Sequence, residues 1–389
     1  MTFRALAVSA IAAAACGGTP APELEGDPAG ADLASGKAAE ILVYSEDGWT
    51  ELADALARDP APGATYFLHI PAPSTDKTWP RGPLEPARMR ARSPQFRALA
   101  EFHWGAWSGV SGSWYQKGVE FRRRMAERGY DVAQGDSWAI NELPSSVRRD
   151  AAARQNVRDA VRGLGDGPAG APRAKGAVFV IGLGSNTTNL AVYKPQLESW
   201  LADAGFWEAM APQVRFWGQE TYTDPATACV PGVIVAERSR AISAFVEHVG
   251  RLADAGGART AAARSFLSRT YTPLLNGAFR SPAYQTDGVP LQQMKEFVST
   301  QIYAARAAGA QHAYAAGRVG LGWAFRRQQV TEPELVELAQ RIASALHYAY
   351  DPAAGAAAGA CSPSHAYTFC QCALHGAAFN PAWSTFTSW

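Results

Sequence analysis

Short, nearly continuous apolar runs alternate with helix-like stretches from residue 40 to residue 350. The runs lie at 41–44, 65–70, 99–104, 137–141, 177–183, 214–217 and 319–325. Strands that are buried on both faces lack the polar alternation of a half-exposed sheet, and helices between such strands are typical of parallel β/α units. This pattern restricts the chain to an α/β fold built on a parallel sheet.

The number of runs predicts a (β/α)8 TIM-like barrel over residues 40–350. Seven strands are evident, and the eighth is expected at 270–279, although Pro273 and Gly277 make that segment a poor regular strand. An open doubly wound sheet is the alternative architecture. That fold usually has a glycine-rich turn after its first strand, and the residues following Tyr44 do not form one.

The N-terminal segment is typical of an export signal. Arg4 precedes an apolar run at 5–15, which is too short to span a bilayer, so residues 1–15 are predicted to be a signal peptide. The sequence around Cys16 resembles a bacterial lipoprotein cleavage box, which implies lipidation of Cys16. Residues 16–39 are rich in Gly, Ala and Pro and are expected to form a flexible tether. An ordinary signal peptide is the alternative, and both predict an exported protein, secreted or held at the cell surface.

Export places the remaining cysteines in an oxidising compartment, where disulfides persist. The four candidates are Cys229, Cys361, Cys370 and Cys372, and an even set of four allows two disulfides in three connectivities. A zinc site is the rival interpretation, but the cysteine spacing does not fit the usual ligand patterns, and no metal is expected. Residues 351–389 are predicted to be a Cys-rich C-terminal extension that packs on the barrel, with a separate glycan-binding element as the alternative.

Charge and aromatic content narrow the class of ligand. The formal net charge is +1 over 389 residues, and without a basic excess nucleic acid is not expected as the main partner. The chain has 12 tryptophans, and because tryptophan is rarely buried completely, several are expected to line a groove. A membrane contact is predicted only through the N-terminal lipid anchor.

Polar and aromatic residues follow the predicted strands at their carboxyl ends, where barrel enzymes place their active sites. In chain order they are Glu46 and Asp47, His69, His103 with Trp104 and Trp107, Asn141 with Glu142, Ser185 and Asn186, Trp217 to Glu220 with Tyr222, and Trp323. Carboxylates and amides hold hydroxyl groups, and aromatic faces cover the C–H side of a sugar ring. This ring of residues therefore predicts a neutral carbohydrate as substrate or ligand, with no cofactor.

Two strand-end glutamates supply the pair of carboxyl groups that glycosidic cleavage requires. The two residues are Glu142 and Glu220, whose carboxyl groups would carry the proton and nucleophile chemistry of the cleavage. Gln219, Tyr222 and Arg215 are candidate donors that would keep Glu220 ionised. The alternative for either glutamate is a structural role, as the cap of the next helix or the partner of an arginine.

The Asn141-Glu142 pair after the fourth strand resembles the corresponding pair of the clan A glycoside hydrolases. The resemblance implies a TIM-like barrel in which Glu142 is the acid/base and Glu220 the nucleophile or base. It also implies that Asn141 binds the 2-hydroxyl of the sugar and that Trp323 is an aromatic platform. One feature departs from the clan pattern: the clan nucleophile follows the seventh strand, whereas Glu220 lies on the sixth strand of this chain.

Two further classes of function are compatible with the pattern. One is a non-catalytic, glycan-binding surface lipoprotein with the same barrel, and the other is an envelope scaffold without a small ligand. Signatures of several other enzymes are missing from the sequence: it has no Walker-type Gly-Lys-Ser/Thr, no complete dinucleotide fingerprint, no nucleophile elbow and no His-Glu-x-x-His.

Overall fold

Parallel strands form an α/β barrel in the computed structural model of the chain. The structure describes residues 39–45, 49–82, 84–141, 143–180, 190–221, 253–276, 320–323 and 331–350. The strands are β1 Glu40–Ser45, β2 Thr65–Ile70, β3 Phe96–His103, β4 Ser137–Asn141, β5 Gly176–Val180, β6 Val214–Thr221, β7 Tyr271–Asn276 and β8 Gly320–Trp323. The predicted α/β barrel is confirmed.

Each strand pairs with the next one along the chain, and β8 also pairs with β1. All of these pairs are parallel, so the carboxyl ends of the strands meet at one rim of the barrel. The register at this rim places His103 of β3 beside Asn141 of β4, and Ser45 of β1 beside Trp323 of β8. Functional groups that are far apart in sequence are thereby brought to a common edge.

The described helices lie between successive strands, except the last of them, which follows β8. Their bounds are α1 Trp49–Arg58, α2 Leu84–Arg92, α3 Trp104–Ser108, α4 Trp114–Glu127, α5 Ala151–Asp166, α6 Leu190–Leu201, α7 Ala204–Met210, α8 Ala261–Thr270 and α9 Glu332–Tyr350. A capping box precedes α9, because the backbone N–H of Thr331 donates to Glu334 and that of Glu334 donates to Thr331. Helix α9 packs against α1, as expected where the two ends of a barrel meet.

Two apolar cores follow from the two faces of the strands. The smaller core fills the barrel and contains Leu42, Tyr44, Phe67, Leu99, Ala139, Ala177, Phe179, Phe216 and Leu274. The larger core lies between the outer strand faces and the helices, and it includes Trp138, Trp207 and Trp217. Successive residues of a strand point to opposite faces, and because both faces are covered, most strand residues are apolar even though only half of them enter the barrel.

Several strand bounds differ from the predicted ones. Strand β3 begins at Phe96 rather than at residue 99, because the buried, outward-facing Phe96 and Ala98 extend the pairing with β2 below the continuous apolar run. Strand β6 continues to Thr221, four residues beyond its predicted end at 217. The weak segment at 270–279 does contain a strand, β7, which pairs with β6 on one side and with β8 on the other.

Several predicted features lie outside the described residues. They include the signal peptide, the tether apart from Ala39, Cys16, the four candidate disulfide cysteines, and the extension at 351–389. In the part of the chain that is described, no helix combines the length and apolarity needed to cross a membrane.

Candidate functional site

Strand periodicity brings four polar side chains to the carboxyl-terminal end of the barrel interior. Leu42, Phe67, Leu99 and Ala139 belong to the inner core on β1 to β4. Two residues further along the same strands are Tyr44, His69, Glu101 and Asn141, which therefore lie on the same inward face. All four are buried. A polar layer thus covers the apolar floor of the barrel.

Asn141 is held from both ends of its amide. The hydroxyl of Tyr44 donates to Asn141 Oδ1 over 3.3 Å, and Asn141 Nδ2 donates to Glu101 Oε1 over 3.1 Å. A carboxylate only accepts hydrogen bonds, so the contact with Glu101 fixes which end of the amide is the nitrogen. The amide keeps one N–H and one oxygen lone pair for a ligand.

Glu101 is a carboxylate at the centre of this layer. Its Oε2 accepts the backbone N–H of Ala72 over 2.5 Å, and His69 Nε2 lies 3.6 Å from the same oxygen. Burial of a carboxylate is costly unless donors replace its water, and here the backbone N–H of Ala72 and the side-chain amide of Asn141 do so. The carboxylate therefore ties the β2 loop to β3 and β4.

Aromatic rings pack against each other beside the hydrogen-bonded groups of this polar layer. The ring of Tyr44 stacks on the His69 imidazole with 4.6 Å between centroids, and Phe179 of β5 meets both rings edge-on. These contacts restrict the rotamers of Tyr44 and His69, so the hydrogen-bonding groups that face Asn141 and Glu101 are held in place before any ligand arrives.

His103 and Lys77 lie at the rim above this layer. His103 is the N-cap of α3, and its Nδ1 accepts the backbone N–H of Ala106 over 3.2 Å. The Nζ of Lys77, an exposed residue in the loop after β2, lies 3.3 Å from His103 Nε2. The rim beside Asn141 therefore carries positive charge.

A stacked pair of indoles continues the rim on the side of α4. The rings of Trp104 and Trp114 are parallel within 6°, with 4.0 Å between their centroids, and both residues are partly exposed. Lys117 Nζ lies 4.3 Å from the Trp114 centroid and donates to Ser108 O. Burial lowers the pKa of Lys117, since removal of water disfavours its charged form.

The described residues cover the predicted site in part. Glu46, Asp47, Glu142 and Tyr222, together with Ser185 and Asn186, lie outside them. The backbones of Glu220 and Trp323 are described: Glu220 is the penultimate residue of β6, and Trp323 ends β8. The strand count places Glu220 on the sixth strand, and β7, with the sequence YTPLLN, contains no carboxylate. The departure from the clan A pattern therefore stands.

Two tryptophans proposed as substrate-binding residues lie in the outer core instead. Trp107 is fully buried and stacks on Phe102 with 5.0 Å between centroids. Trp217 is 1% exposed and packs with Trp200 and Trp207 between β6 and the helices. Trp217 is on the outward face of its strand, and Trp107 is on the inner side of α3, so both stabilise the core and do not form a platform for a sugar.

Arg215, a candidate donor to Glu220, lies at the opposite end of the barrel. The register between β5 and β6 shifts at Gly176 and Ala177, where a bulge redirects the Arg215 side chain. Its guanidinium pairs with Glu40, at the start of β1, and lies 4.7 Å from the Phe67 centroid. Arg215 therefore closes the amino-terminal mouth of the barrel.

The sequence contained a signal for one of the missed residues, Glu101. Glu101 is a lone acid inside an apolar strand, and acidic residues are rarely buried without partners. Counting in steps of two from Glu101 gives Leu99 and His103 on the same face. The spacing indicates an inward carboxylate, whereas its partners depend on the register between strands.

The described residues contain no group of three or more His, Cys, Asp or Glu side chains placed to hold a metal ion. A scan against protein-family models finds no match, and a search of curated proteins finds none either.

Proposed function

We propose that this protein is an exported glycoside hydrolase or transglycosylase whose active site is the carboxyl-terminal rim of the barrel. Glu142 is the acid/base, and Glu220 is the nucleophile or base. The observation that supports this assignment is the fixed amide of Asn141, which immediately precedes Glu142 and is held by Tyr44 and Glu101. A positioned amide beside an acid is what recognition of a sugar hydroxyl during bond cleavage requires.

The chemistry assigned to the two glutamates is acid–base cleavage of an acetal. Glu142 protonates the leaving oxygen, while Glu220 either attacks the anomeric carbon or activates a water molecule that does so. In the first case the glycosyl-enzyme bond is broken by water or by another sugar, with Glu142 acting as base. Asn141 contributes by donating to or accepting from a ring hydroxyl through its remaining N–H or lone pair.

The rest of the chain fits an enzyme that works outside the cytoplasm. In this proposal the (β/α)8 barrel carries a Cys-rich extension at 351–389 that is packed on it through disulfides, and Cys16 carries a lipid that holds the protein at the cell surface. Metabolic labelling with palmitate tests the anchor: wild-type protein takes up label and Cys16→Ser does not. Labelling that persists in Cys16→Ser contradicts the lipid assignment.

Activity of matched variants tests the enzymatic proposal. Wild-type protein, Glu142→Gln and Glu220→Gln are incubated with plant and bacterial polysaccharides, and released oligosaccharides are measured by anion-exchange chromatography. Each substitution should lower kcat by about 10²-fold or more, since general acid–base catalysis contributes 10²- to 10⁴-fold. Glu208→Gln, on the exposed surface of α7, is the control and should retain full activity. Full activity in both site variants would contradict the assignment.

Leaving-group chemistry separates the roles of the two glutamates. A dinitrophenolate departs without protonation, so Glu142→Gln should lose less activity on a dinitrophenyl glycoside than on the polysaccharide. Glu220→Gln should lose activity on both substrates. Equal losses for Glu142→Gln on the two substrates would exclude its role as the acid.

A binding protein without catalysis is the second candidate, and the partly exposed Trp104–Trp114 stack favours it. This candidate predicts that glycans bind the wild-type protein, that none is cleaved, and that Trp104→Ala weakens binding. Calorimetry measures the glycan affinity of the wild type and of Trp104→Ala. Equal affinities would exclude this candidate.

A further inference from the structure

The hydrogen bonds of His103 determine which of its ring nitrogens can carry a proton when the ring is neutral. Nδ1 accepts the backbone N–H of Ala106, so Nδ1 is the unprotonated nitrogen. The neutral ring then carries its proton on Nε2. In this tautomer Nε2 is a donor.

The neighbour of Nε2 is also a donor. Lys77 Nζ, 3.3 Å away, is an ammonium group with three N–H bonds and no acceptor. Two donors at this distance do not form a hydrogen bond with each other. Both can donate to one oxygen placed between them, since an oxygen about 2.8 Å from each nitrogen is a normal length for a charge-assisted hydrogen bond.

No carboxylate among the described residues pairs with Lys77 or His103. The adjacent Asp76 is turned toward Thr78, whose side chain and backbone N–H donate to Asp76 Oδ1 over 2.7 Å and 2.9 Å. These bonds engage Oδ1 of Asp76 and lower the pKa of its carboxyl group. The positive charge of Lys77 is therefore not neutralised by a described side chain.

The position of this donor pair makes it part of the substrate site. His103 is the register partner of Asn141, the residue that precedes the proposed acid/base. Trp104, next to His103, contributes the stacked indole pair, which can cover the apolar side of a sugar ring. A sugar bound at the rim can thus place a substituent between Lys77 and His103.

We propose that the glycan substrate is acidic, and that a carboxylate or sulfate oxygen on the sugar accepts hydrogen bonds from Lys77 Nζ and His103 Nε2. The proposal rests on the function proposed above and replaces the neutral substrate predicted from the sequence. A water molecule can also accept both hydrogen bonds, but only an anion neutralises the lysine charge as well. The donor pair would therefore select acidic over neutral sugars.

Binding to the full-length Glu142→Gln protein tests the proposal without turnover. The probes are hexasaccharides of polygalacturonate and alginate, a heparan sulfate hexasaccharide for the sulfate arm, and carboxyl-reduced polygalacturonate hexasaccharide as the neutral comparison. Affinities are measured by calorimetry at two salt concentrations. At least one acidic probe should bind tenfold or more tightly than the neutral probe, and the preference should shrink with added salt.

Three added substitutions test the residues. Lys77→Gln should reduce affinity for the preferred acidic probe by about tenfold and leave affinity for the neutral probe unchanged. His103→Asn removes the Nε2 donor while keeping a side-chain oxygen for the helix cap, so it should also reduce the acidic preference without unfolding the rim. Lys194→Gln, on the exposed surface of α6, is the charge-matched control and should change neither affinity.

The outcomes separate this inference from the proposed function. Equal binding of acidic and neutral probes, no binding of any probe, or equal effects of Lys77→Gln and Lys194→Gln would overturn the inference. Glu142-dependent cleavage of a neutral glycan without acidic preference would overturn the inference and leave the hydrolase. An acidic preference that depends on Lys77, without Glu142-dependent cleavage, would support the donor pair and reject the hydrolase.

Discussion

Glu101 connects the loop after β2 with two neighbouring strands of the proposed site. It accepts hydrogen bonds from the β2 loop and from Asn141, and it lies beside His69. Asn141 was identified from its place before Glu142, because that pattern is local. Glu101 and Tyr44 were not, because their relevance depends on which residues the barrel register places next to Asn141.

Replacement of Glu101 by Gln tests this dependence. A carboxamide offers one acceptor oxygen where the carboxylate offers two, so either Ala72 N–H or Asn141 Nδ2 faces an NH2 group. We expect the free energy of unfolding to fall by about 1–3 kcal/mol, as for a buried donor that loses its acceptor. Urea denaturation at pH 7 measures the change, with Glu208→Gln as the control.

A positioning role adds a kinetic signature to the loss of stability. If Glu101 holds Asn141 for the transition state, Glu101→Gln should lower kcat with little change in KM, even at temperatures where the variant is fully folded. A variant with wild-type kcat and reduced stability would show that Glu101 is structural only.

At the level of helices, α4 and α5 pack at unusually short range through glycines. A Cβ on Gly118 would lie 2.7 Å from Leu164 N and closer still to Ala160 O, and a Cβ on Gly163 would meet the backbone carbonyl of Tyr115. Backbone atoms cannot rotate away as a side chain can. These contacts were not evident from the sequence, in which the glycines only appear to weaken two helices.

Gly163→Ala is therefore expected to destabilise the protein despite the better helix propensity of alanine. Separation of the helices should cost about 1–3 kcal/mol, the usual range for overpacking. Gly109→Ala is the matched control, because a Cβ there would meet only Ala106 O at 3.8 Å. Thermal unfolding of both variants checks this, and a stabilised Gly163→Ala would contradict the close contact.

Helix α4 also carries a charge cluster with a defined pH dependence. Arg123 and Arg124 donate hydrogen bonds to Glu120. The hydrogen bond from Arg123 is the main reason why the pKa of Glu120 is lowered to about 2. A carboxylate whose pKa is lower in the folded state stabilises the fold above its unfolded value, and that contribution is lost as the pH falls toward 2.

Glu120→Gln should reduce the free energy of unfolding by about 0.5 kcal/mol at pH 7, since the group is partly exposed and its pairs are screened. The difference from wild type should shrink progressively below pH 4.5, the ordinary pKa of glutamate. Urea denaturation at pH 7, 5 and 3 measures this difference in the free energy of unfolding. A difference that is constant across this range would mean that the glutamate charge is not responsible.

At the scale of the whole molecule, the alternation of buried strands and helices was sufficient to predict an α/β barrel. Strands such as β2 and β4 have the bounds that their apolar runs predict. The exceptions have physical causes: β7 includes Pro273, which lacks an N–H, and β6 continues through the polar residues Gln219 and Glu220. A search for apolar runs does not detect these strand ends, because the residues that end the strands at the rim are polar.

Only some of the residues at the rim could be named from the sequence. The strand-end glutamates, Asn141 and Trp104 could be identified from the sequence. The burial of Trp107 and Trp217 could not, because the sequence around a tryptophan is similar whether the side chain lies in a core or lines a groove. The donor pair of Lys77 and His103 joins a loop to a strand end and has no sequence signature. Tertiary geometry therefore changes the expected substrate from neutral to acidic.

The most direct test of the central claim is a crystal structure of Glu142→Gln with an acidic oligosaccharide bound. The account predicts that the sugar lies at the carboxyl-terminal rim, with residues 142 and 220 flanking one glycosidic bond. In a wild-type structure the two carboxyl groups would be about 5–5.5 Å apart for a retaining enzyme, or about 6.5–9.5 Å apart for an inverting one. A sugar bound elsewhere, or a separation well beyond this range, would contradict it.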